Sequence, residues 1–406
     1  MGGARLIEAG GLVRGSDRAS RIDWVVGQCR LLTSIGVEFE RTRPFEGLTI
    51  GTGIHLEAKG VALMLPLRRG GARVISTGNL NSTQPGALEY LDAHGVETVG
   101  GPTQSVAERI GWIDQILDHK PDLILDNGGD MFVRWLERPY PGLRGGTEET
   151  TSGRILLAPL RERLRMPILV INDSPIKQFA ENRHAVGQST IESFLRLTNL
   201  ATNGRRVVVL GYGGVGKGLA INFRNNHAQV AVLERDPVLR MEALWDGFAV
   251  PERAAALATA DIVLTATAAT GVVGPLDLDI LPDGVILVNV GHLPVEIDVP
   301  GIAASPLVAS REPADDGITT FRLRDGRSIH LLTDGHMVNL AGPRPLGNSI
   351  ESMDIGFSLQ ARCLEAIALG RVGSESCVVP VPRSIDESVS AAYVELAAAP
   401  GRTIGG

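Results

Sequence analysis

The sequence predicts an α/β protein of two doubly wound lobes joined by hinge helices, and three observations predict it. Short β-branched runs alternate with helix-length segments along most of the chain. The runs of the second half are nearly continuous in apolar residues, as strands are when helices cover both faces of a parallel sheet. At 406 residues the chain exceeds one ordinary core, and 49 glycines with only 4% aromatics suit small-residue packing and tight turns.

The elements follow in order. Residues 1–11 hold no long apolar stretch and no small-residue cleavage pattern, so export is not expected. Strands are expected at residues 74–77, 123–126 and 167–172. Residues 191–198 are expected as a hinge helix, ended by the Asn203-Gly204 turn. Four strands follow at 206–210, 229–233, 261–266 and 285–290. A second hinge helix is expected at 349–368. One lobe then spans residues 1–185, with 345–375 returning to it, the other spans 186–344, and 376–406 is expected as a C-terminal tail whose Ala/Pro/Gly end, from about residue 397, is mobile.

Composition excludes several classes. The charge, 39 − 46 = −7, lacks the basic footprint of a protein that binds a nucleic acid polymer. No run approaches the roughly 18 apolar residues of a membrane span. Cys29, Cys363 and Cys377 are odd in number, scattered and outside any C-x-x-C pair, which fits reduced thiols in the cytoplasm and no metal site.

The chemistry-bearing motif lies at residues 206–220, RVVVLGYGGVGKGLA. A buried strand runs straight into Gly211-Tyr212-Gly213-Gly214-Val215-Gly216, and a helical pattern follows, the context a dinucleotide fingerprint requires. Gly211 allows the tight turn, Gly213 lets a pyrophosphate approach the backbone, and Gly216 lets helix and strand pack closely. The helix N-terminus offers free N–H groups and the positive dipole end. Glu234 stands 234 − 216 = 18 residues beyond Gly216, where a carboxylate can accept from ribose hydroxyls and repel a 2′-phosphate. NAD is therefore the expected cofactor; Arg235 beside it leaves NADP open.

Eight segments together resemble the S-adenosyl-L-homocysteine hydrolase family. In the first lobe they are GIHLEAKGVAL (53–63), GNLNSTQ (78–84), DNGGDM (126–131), EETTSG (148–153) and NDSPIKQFAEN (172–182). In the second they are GYGGVGKG (211–218), NVGHLPVEID (289–298) and HMVNLAG (336–342). The resemblance spans roughly residues 50–395 and implies two Rossmann-like lobes, one for substrate and one for NAD. It also implies transient oxidation of a nucleoside 3′-hydroxyl, which acidifies the 4′-hydrogen so that the 5′ substituent can be eliminated. Such chemistry needs a base near the 3′-oxygen, another near C4′, an acid for the departing group, and exclusion of water.

The resemblance assigns residues one by one. Lys177 matches the lysine beside the 3′-hydroxyl; burial is expected to lower its pKa and make it a base. Glu149 matches the glutamate on the ribose hydroxyls, His55 the histidine near the 5′ position, and His292 the one beside the nicotinamide. Either histidine could shuttle a proton near neutral pH. Thr150, Thr151, Ser152, Asn182, Val290, Gly291 and Asn339 match cofactor contacts.

The chain also departs from the family pattern. Asn127 stands at the second aspartate of the D-D-G-G-D run, whose last aspartate is kept as Asp130. Glu181, one methylene longer, stands at the ribose-side aspartate. Glu57 and Lys59 replace an adenine-side threonine and glutamate, and Asn348 stands where the family has a histidine over the base. Met353 is grouped with these substrate-side residues. The family's lysine- and tyrosine-rich tail is replaced by AAAPGRTIGG. Because the altered positions cluster at the 5′ and base ends, the expected function is elimination without rehydration. Its product would be a 4′,5′-unsaturated adenine nucleoside of the decoyinine type. Two alternatives stay open: an authentic S-adenosylhomocysteine hydrolase, and an NAD-binding regulatory pseudoenzyme. The family further implies a homo-oligomer, dimer or tetramer.

Overall fold

The structure is a computed structural model that describes residues 15–80 and 82–398. Its first sheet contains β1 (Thr49–Ile54), β2 (Arg73–Gly78), β3 (Glu97–Thr98), β4 (Leu123–Asp126), β5 (Gly145–Glu148) and β6 (Ile168–Val170). The second contains β7 (Arg206–Leu210), β8 (Gln229–Leu233), β9 (Ile262–Thr265), β10 (Val285–Asn289), β11 (Val308–Asp315), β12 (Ile318–Leu323) and β13 (Ser328–Leu332). The chain then returns to the first sheet as β14 (Cys377–Pro380). The strand orders are β14-β6-β5-β4-β1-β2-β3 and β11-β12-β13-β10-β9-β7-β8. The first sheet is wholly parallel. The second is parallel except for the antiparallel β11-β12-β13 edge.

Helices cover both faces of each sheet, which is why central strands such as β7, β9 and β10 read as apolar runs. Phe39, Phe45, Leu63 and Phe357 pack with one face of the first sheet, and Ile113, Phe132 and Leu157 with the other. In the second lobe Phe194, Phe223 and Phe248 lie on one side, and Leu257, Leu281 and Phe321 on the other.

Two features place the site. Strand β1 sits between β2 and β4, and β7 between β8 and β9, so each sheet has a point where strand order reverses. Ligands of open α/β sheets bind in the crevice beyond the carboxyl ends there. The lobes are joined by the helices Val186–Thr198 and Ile350–Ala368, close to the expected hinges. The first is preceded by a π-helical stretch, Gln178–Ala185, a form that frequently marks functional positions.

Three expectations are corrected. The strand expected at 167–172 ends at Val170, and Ile171–Asp173 turns as a 3₁₀ segment toward Lys177. Strands β1, β3, β5, β11, β12, β13 and β14 were not anticipated. Residues 376–398 are no tail: β14 pairs with β6, and the helix Arg383–Ala398 packs against the Ile350–Ala368 helix. Val381 and Val389 are buried there, so the segment is held by the first lobe's core. The expectation for residues 399–406, and the reading of residues 1–11, lie outside the described residues. No described helix is long and apolar enough to cross a membrane.

Candidate active site

The carboxyl ends of β1, β4, β5 and β6 lie side by side, with Gly53 opposite Asp126, Asp126 opposite Glu148, and Glu148 opposite Val170. The residue after each end therefore faces one crevice. His55 follows β1, Asn127 follows β4, and Glu149 follows β5. After β6, Ser174 caps the Pro175–Lys177 turn, which presents Lys177. Gly128 and Gly129, at φ 119° and 86°, supply the left-handed turn that carries the chain to Asp130.

One hydrogen-bonded chain links these groups. Lys177 Nζ donates to Glu149 Oε1 and to Glu181 Oε1, both at 2.9 Å. Asn127 Nδ2 donates to Glu149 Oε2 at 2.7 Å, and Asn127 Oδ1 accepts from Asn79 Nδ2 at 2.9 Å. Asn79 Oδ1 in turn accepts from Arg109 Nη2 at 2.8 Å, and Arg109 Nη1 pairs with Asp130. Glu149, Lys177 and Glu181 are all buried, and Glu181 Oε2 has no partner. A buried acceptor without a donor is costly, so this oxygen suits a ligand hydroxyl.

The electrostatics correct two expectations. Burial alone would depress the Lys177 ammonium, but two carboxylates in contact with it raise it above its ordinary value. The ligand-free lysine is thus a cation. Burial likewise pushes the His55 imidazole down to about 4, and the neighbouring His292 adds to the effect. Burial lowers His292 too. Both rings are therefore neutral at pH 7 and begin as proton acceptors rather than acids. Their centroids are 6.1 Å apart, and His55 Nδ1 is 2.7 Å from Ser82 Oγ. His55 comes from the first lobe and His292 from the second, so this contact spans the cleft.

The glycine loop fits a dinucleotide. Gly211 has φ 98°, and a Cβ there would lie 2.4 Å from the Ala266 carbonyl. A Cβ on Gly216 would lie 2.0 Å from the Gly211 carbonyl, whereas one on Gly213 would meet nothing within 4 Å. The helix Gly214–Asn225 thus begins at an open backbone surface where a phosphate can approach. Gly214 faces Gln178, and Val215 is partly buried against the second lobe's core. Glu234 Oε2 accepts from Tyr212 N at 2.7 Å, which fixes the carboxylate at the loop's far end. On the facing loop Val290 is buried, and a Cβ on Gly291 would lie 1.9 Å from Glu296 Oε1.

Of the remaining expected cofactor residues, all but Asn339 fall in a second hydrogen-bonded region. Thr150 caps the Thr151–Leu157 helix and donates to Glu148 Oε1 at 2.7 Å, and its Oγ1 is 3.0 Å from Ser152 Oγ. Asn172 bridges Thr151 Oγ1 (2.6 Å) and Asn182 Nδ2 (2.8 Å). Asn339 Nδ2 donates to Ser189 Oγ at 3.0 Å, while its buried Oδ1 has no partner.

A cavity of about 800 Å³ opens between the lobes, lined by His55, Glu57, Lys59, Ser82, His336 and others. Glu57 and Lys59 pair with each other at 3.3 Å, and Lys59 Nζ also donates to the Leu346 carbonyl at 2.6 Å. Asn348 is not among the cavity's lining residues; its Oδ1 accepts from Ser189 Oγ at 3.1 Å, and its Nδ2 meets Met353 Sδ at 3.8 Å. The described residues hold no cluster of three metal-ligating side chains.

Sequence reading missed Arg109, Asn79 and Glu296. Arg109 sits on the buried side of the helix Val106–Asp118, and its sequence neighbourhood carries no motif. Glu296 accepts from Thr267 N and Ala268 N, both at 2.8 Å, and so holds the loop after β9. It lies inside the quoted NVGHLPVEID segment, which was its available signal.

The model of the S-adenosyl-L-homocysteine hydrolase NAD binding domain matches residues 182–344. The S-inosyl-L-homocysteine hydrolase of Methanopyrus kandleri is 36% identical over 384 residues, covering 92% of this chain and 89% of that protein. The adenosylhomocysteinase of Thermotoga maritima is 37% identical over 376 residues, covering 91% and 92%. That of Thermococcus kodakarensis is also 37% identical over 376 residues, covering 91% and 88%.

Proposed function

The chain belongs to the S-adenosyl-L-homocysteine hydrolase family and its cofactor is NAD, and from that premise we propose that it eliminates the 5′ substituent of a nucleoside after transient 3′-oxidation. NAD⁺ would be held by the Gly211–Gly216 loop and Glu234 and, when bound, would supply the hydride acceptor for that oxidation. The observation that carries the reading is the buried Glu149–Lys177–Glu181 group at the crevice floor, with the free Glu181 oxygen. Glu149 and Glu181 hold the sugar diol. Lys177 would accept the 3′-hydroxyl proton once the bound diol draws Glu149 and Glu181 from its ammonium, which lowers its proton affinity. Neutral His55 and His292 take the C4′ proton and pass it to the departing 5′-oxygen, so water leaves and a C4′=C5′ bond forms. A positioned donor is required because hydroxide is a poor leaving group.

The net reaction we favour is dehydration to a 4′,5′-unsaturated adenine nucleoside. Its support is Asn127: an amide committed to Asn79 and Glu149 offers no carboxyl to activate an incoming water. Incubation of enzyme, NAD⁺ and hexulose or ribose adenine nucleosides should give products lighter by one water. Release of homocysteine from S-adenosyl- or S-inosylhomocysteine instead would establish the second reading, which the relatives' names favour. Bound cofactor that never cycles with any nucleoside would establish a regulatory role.

The substrate lobe of this reading comprises residues 1–185 and the returning C-terminal segment, and the cofactor lobe residues 186–344. A homo-oligomer is supported by Val238, Met241, Leu244 and Trp245, which stand exposed on one short helix of the cofactor lobe. Three free, buried thiols support a reducing, cytoplasmic setting.

A further inference from the structure

Gly356 lies in the middle of the Ile350–Ala368 helix, where glycine is a poor choice on propensity alone. Its backbone φ is not in the left-handed region, so conformation does not require glycine there. Space does. A Cβ built at Gly356 would lie 2.7 Å from Glu181 Oε2, and no other atom comes closer than the carboxyl carbon of the same side chain, at 3.9 Å.

A shift of the Glu181 carboxylate would disturb its ion pair with Lys177. Its Oε1 is held by Lys177 Nζ at 2.9 Å, and the residue is only 7% exposed. Its Oε2 is buried and receives no hydrogen bond from the protein. The free oxygen therefore lies where a side chain at residue 356 would stand, and the absent Cβ is what makes room for it. A glutamate has one methylene more than an aspartate, and the missing side chain at 356 accommodates it.

We propose that Gly356 is the positioning residue that sets the reach of the Glu181 carboxylate, and so selects which sugar hydroxyls that carboxylate meets. The helix that carries it, Ile350–Ala368, is one of the two that join the lobes. The proposal rests on the reading above that Glu181 holds the sugar.

The test uses full-chain NAD⁺-loaded enzyme as Gly356→Ala, Glu181→Asp and the double variant, with adenosine as the probe and its 3′-oxidation read as NADH absorbance. Gly356→Ala should raise KM for adenosine about tenfold or more while retaining NAD, because misplacement by about 1 Å is enough for such losses. Adding Glu181→Asp should cancel that effect, leaving the double variant with the KM of Glu181→Asp alone. A crystal structure of Gly356→Ala should show the carboxylate displaced and its contact with Lys177 broken. An undisplaced carboxylate, or single effects that merely multiply in the double variant, would overturn the proposal. If the unsubstituted enzyme forms NADH with no nucleoside, the functional reading fails, and the crystal comparison still decides the role of Gly356.

Discussion

An amide at position 127 donates to Glu149 and accepts from Asn79 at once, which a carboxylate cannot do. Asn127→Asp would set a second carboxylate 2.7 Å from Glu149 Oε2. Like charges that close must share a proton, so the pair titrates together with one pKa raised. Nucleoside-dependent NADH formation by this variant should fall about 10- to 100-fold at alkaline pH and recover as pH falls; a pH-independent loss would refute the assignment. His55 carries a second pH signature. Its pKa falls from 6.5 to about 4 on folding, so the unfolded chain binds the proton more readily in that interval. Stability from the neutral buried ring is present above pH 6.5 and is lost as pH falls toward 4. His55→Gln should lack this acid-side component, seen as a melting temperature that declines less from pH 7 to 4, by a few degrees. At this scale residue identity was legible, because short motifs name their side chains. Protonation was not, because it depends on partners: Lys177 was expected to be depressed by burial, and two carboxylates from elsewhere reverse the sign.

The strand–glycine–helix unit was readable because its parts are contiguous and each glycine has a local task. The structure separates those tasks. Gly216 has the Gly211 carbonyl against it, while Gly213 has open space. Gly216→Ala should therefore destabilise the cofactor lobe by about 1–3 kcal/mol in urea unfolding. Gly213→Ala should leave stability within about 0.5 kcal/mol, yet weaken NAD binding about tenfold by calorimetry because the methyl group meets the pyrophosphate. Equal effects on stability would contradict the arrangement. Other elements gave no such signal. Strand β5, GGTE, holds two glycines and a glutamate, and it is a strand because β4 and β6 flank it. A Cβ on Gly146 would lie 1.8 Å from the Ile124 carbonyl, so its glycine serves close strand approach rather than a turn. Strand β11, VASREPAD, is mostly exposed and is specified by pairing with β12.

Over the whole molecule, the C-terminal segment shows what spacing along the chain conceals. It read as a tail because it is short and follows the last long helix. In three dimensions β14 completes the edge beside β6, and Asp386 accepts from Ser174 Oγ at 2.5 Å, next to the turn that presents Lys177. Removing residues 377–406 should lower the melting temperature of the first lobe by about 5 °C or more, while the NAD-binding lobe keeps its transition and its NAD. Calorimetry resolving two transitions checks this; a single unshifted transition would mean the segment is dispensable. From sequence alone came the two-lobed α/β class, the dinucleotide loop and the linking helices, which depend on periodicity and on short contiguous motifs, while the names of most crevice residues came from the family resemblance of such motifs. Folding alone decided that β1, β4, β5 and β6 end in register, so residues 55, 127, 149 and 177 converge. It also decided that Arg109 and Asn79 complete their network, and that Gly356 leaves room for Glu181. Such pairings join residues tens to hundreds of positions apart, and their energies arise from burial and proximity that no local pattern encodes.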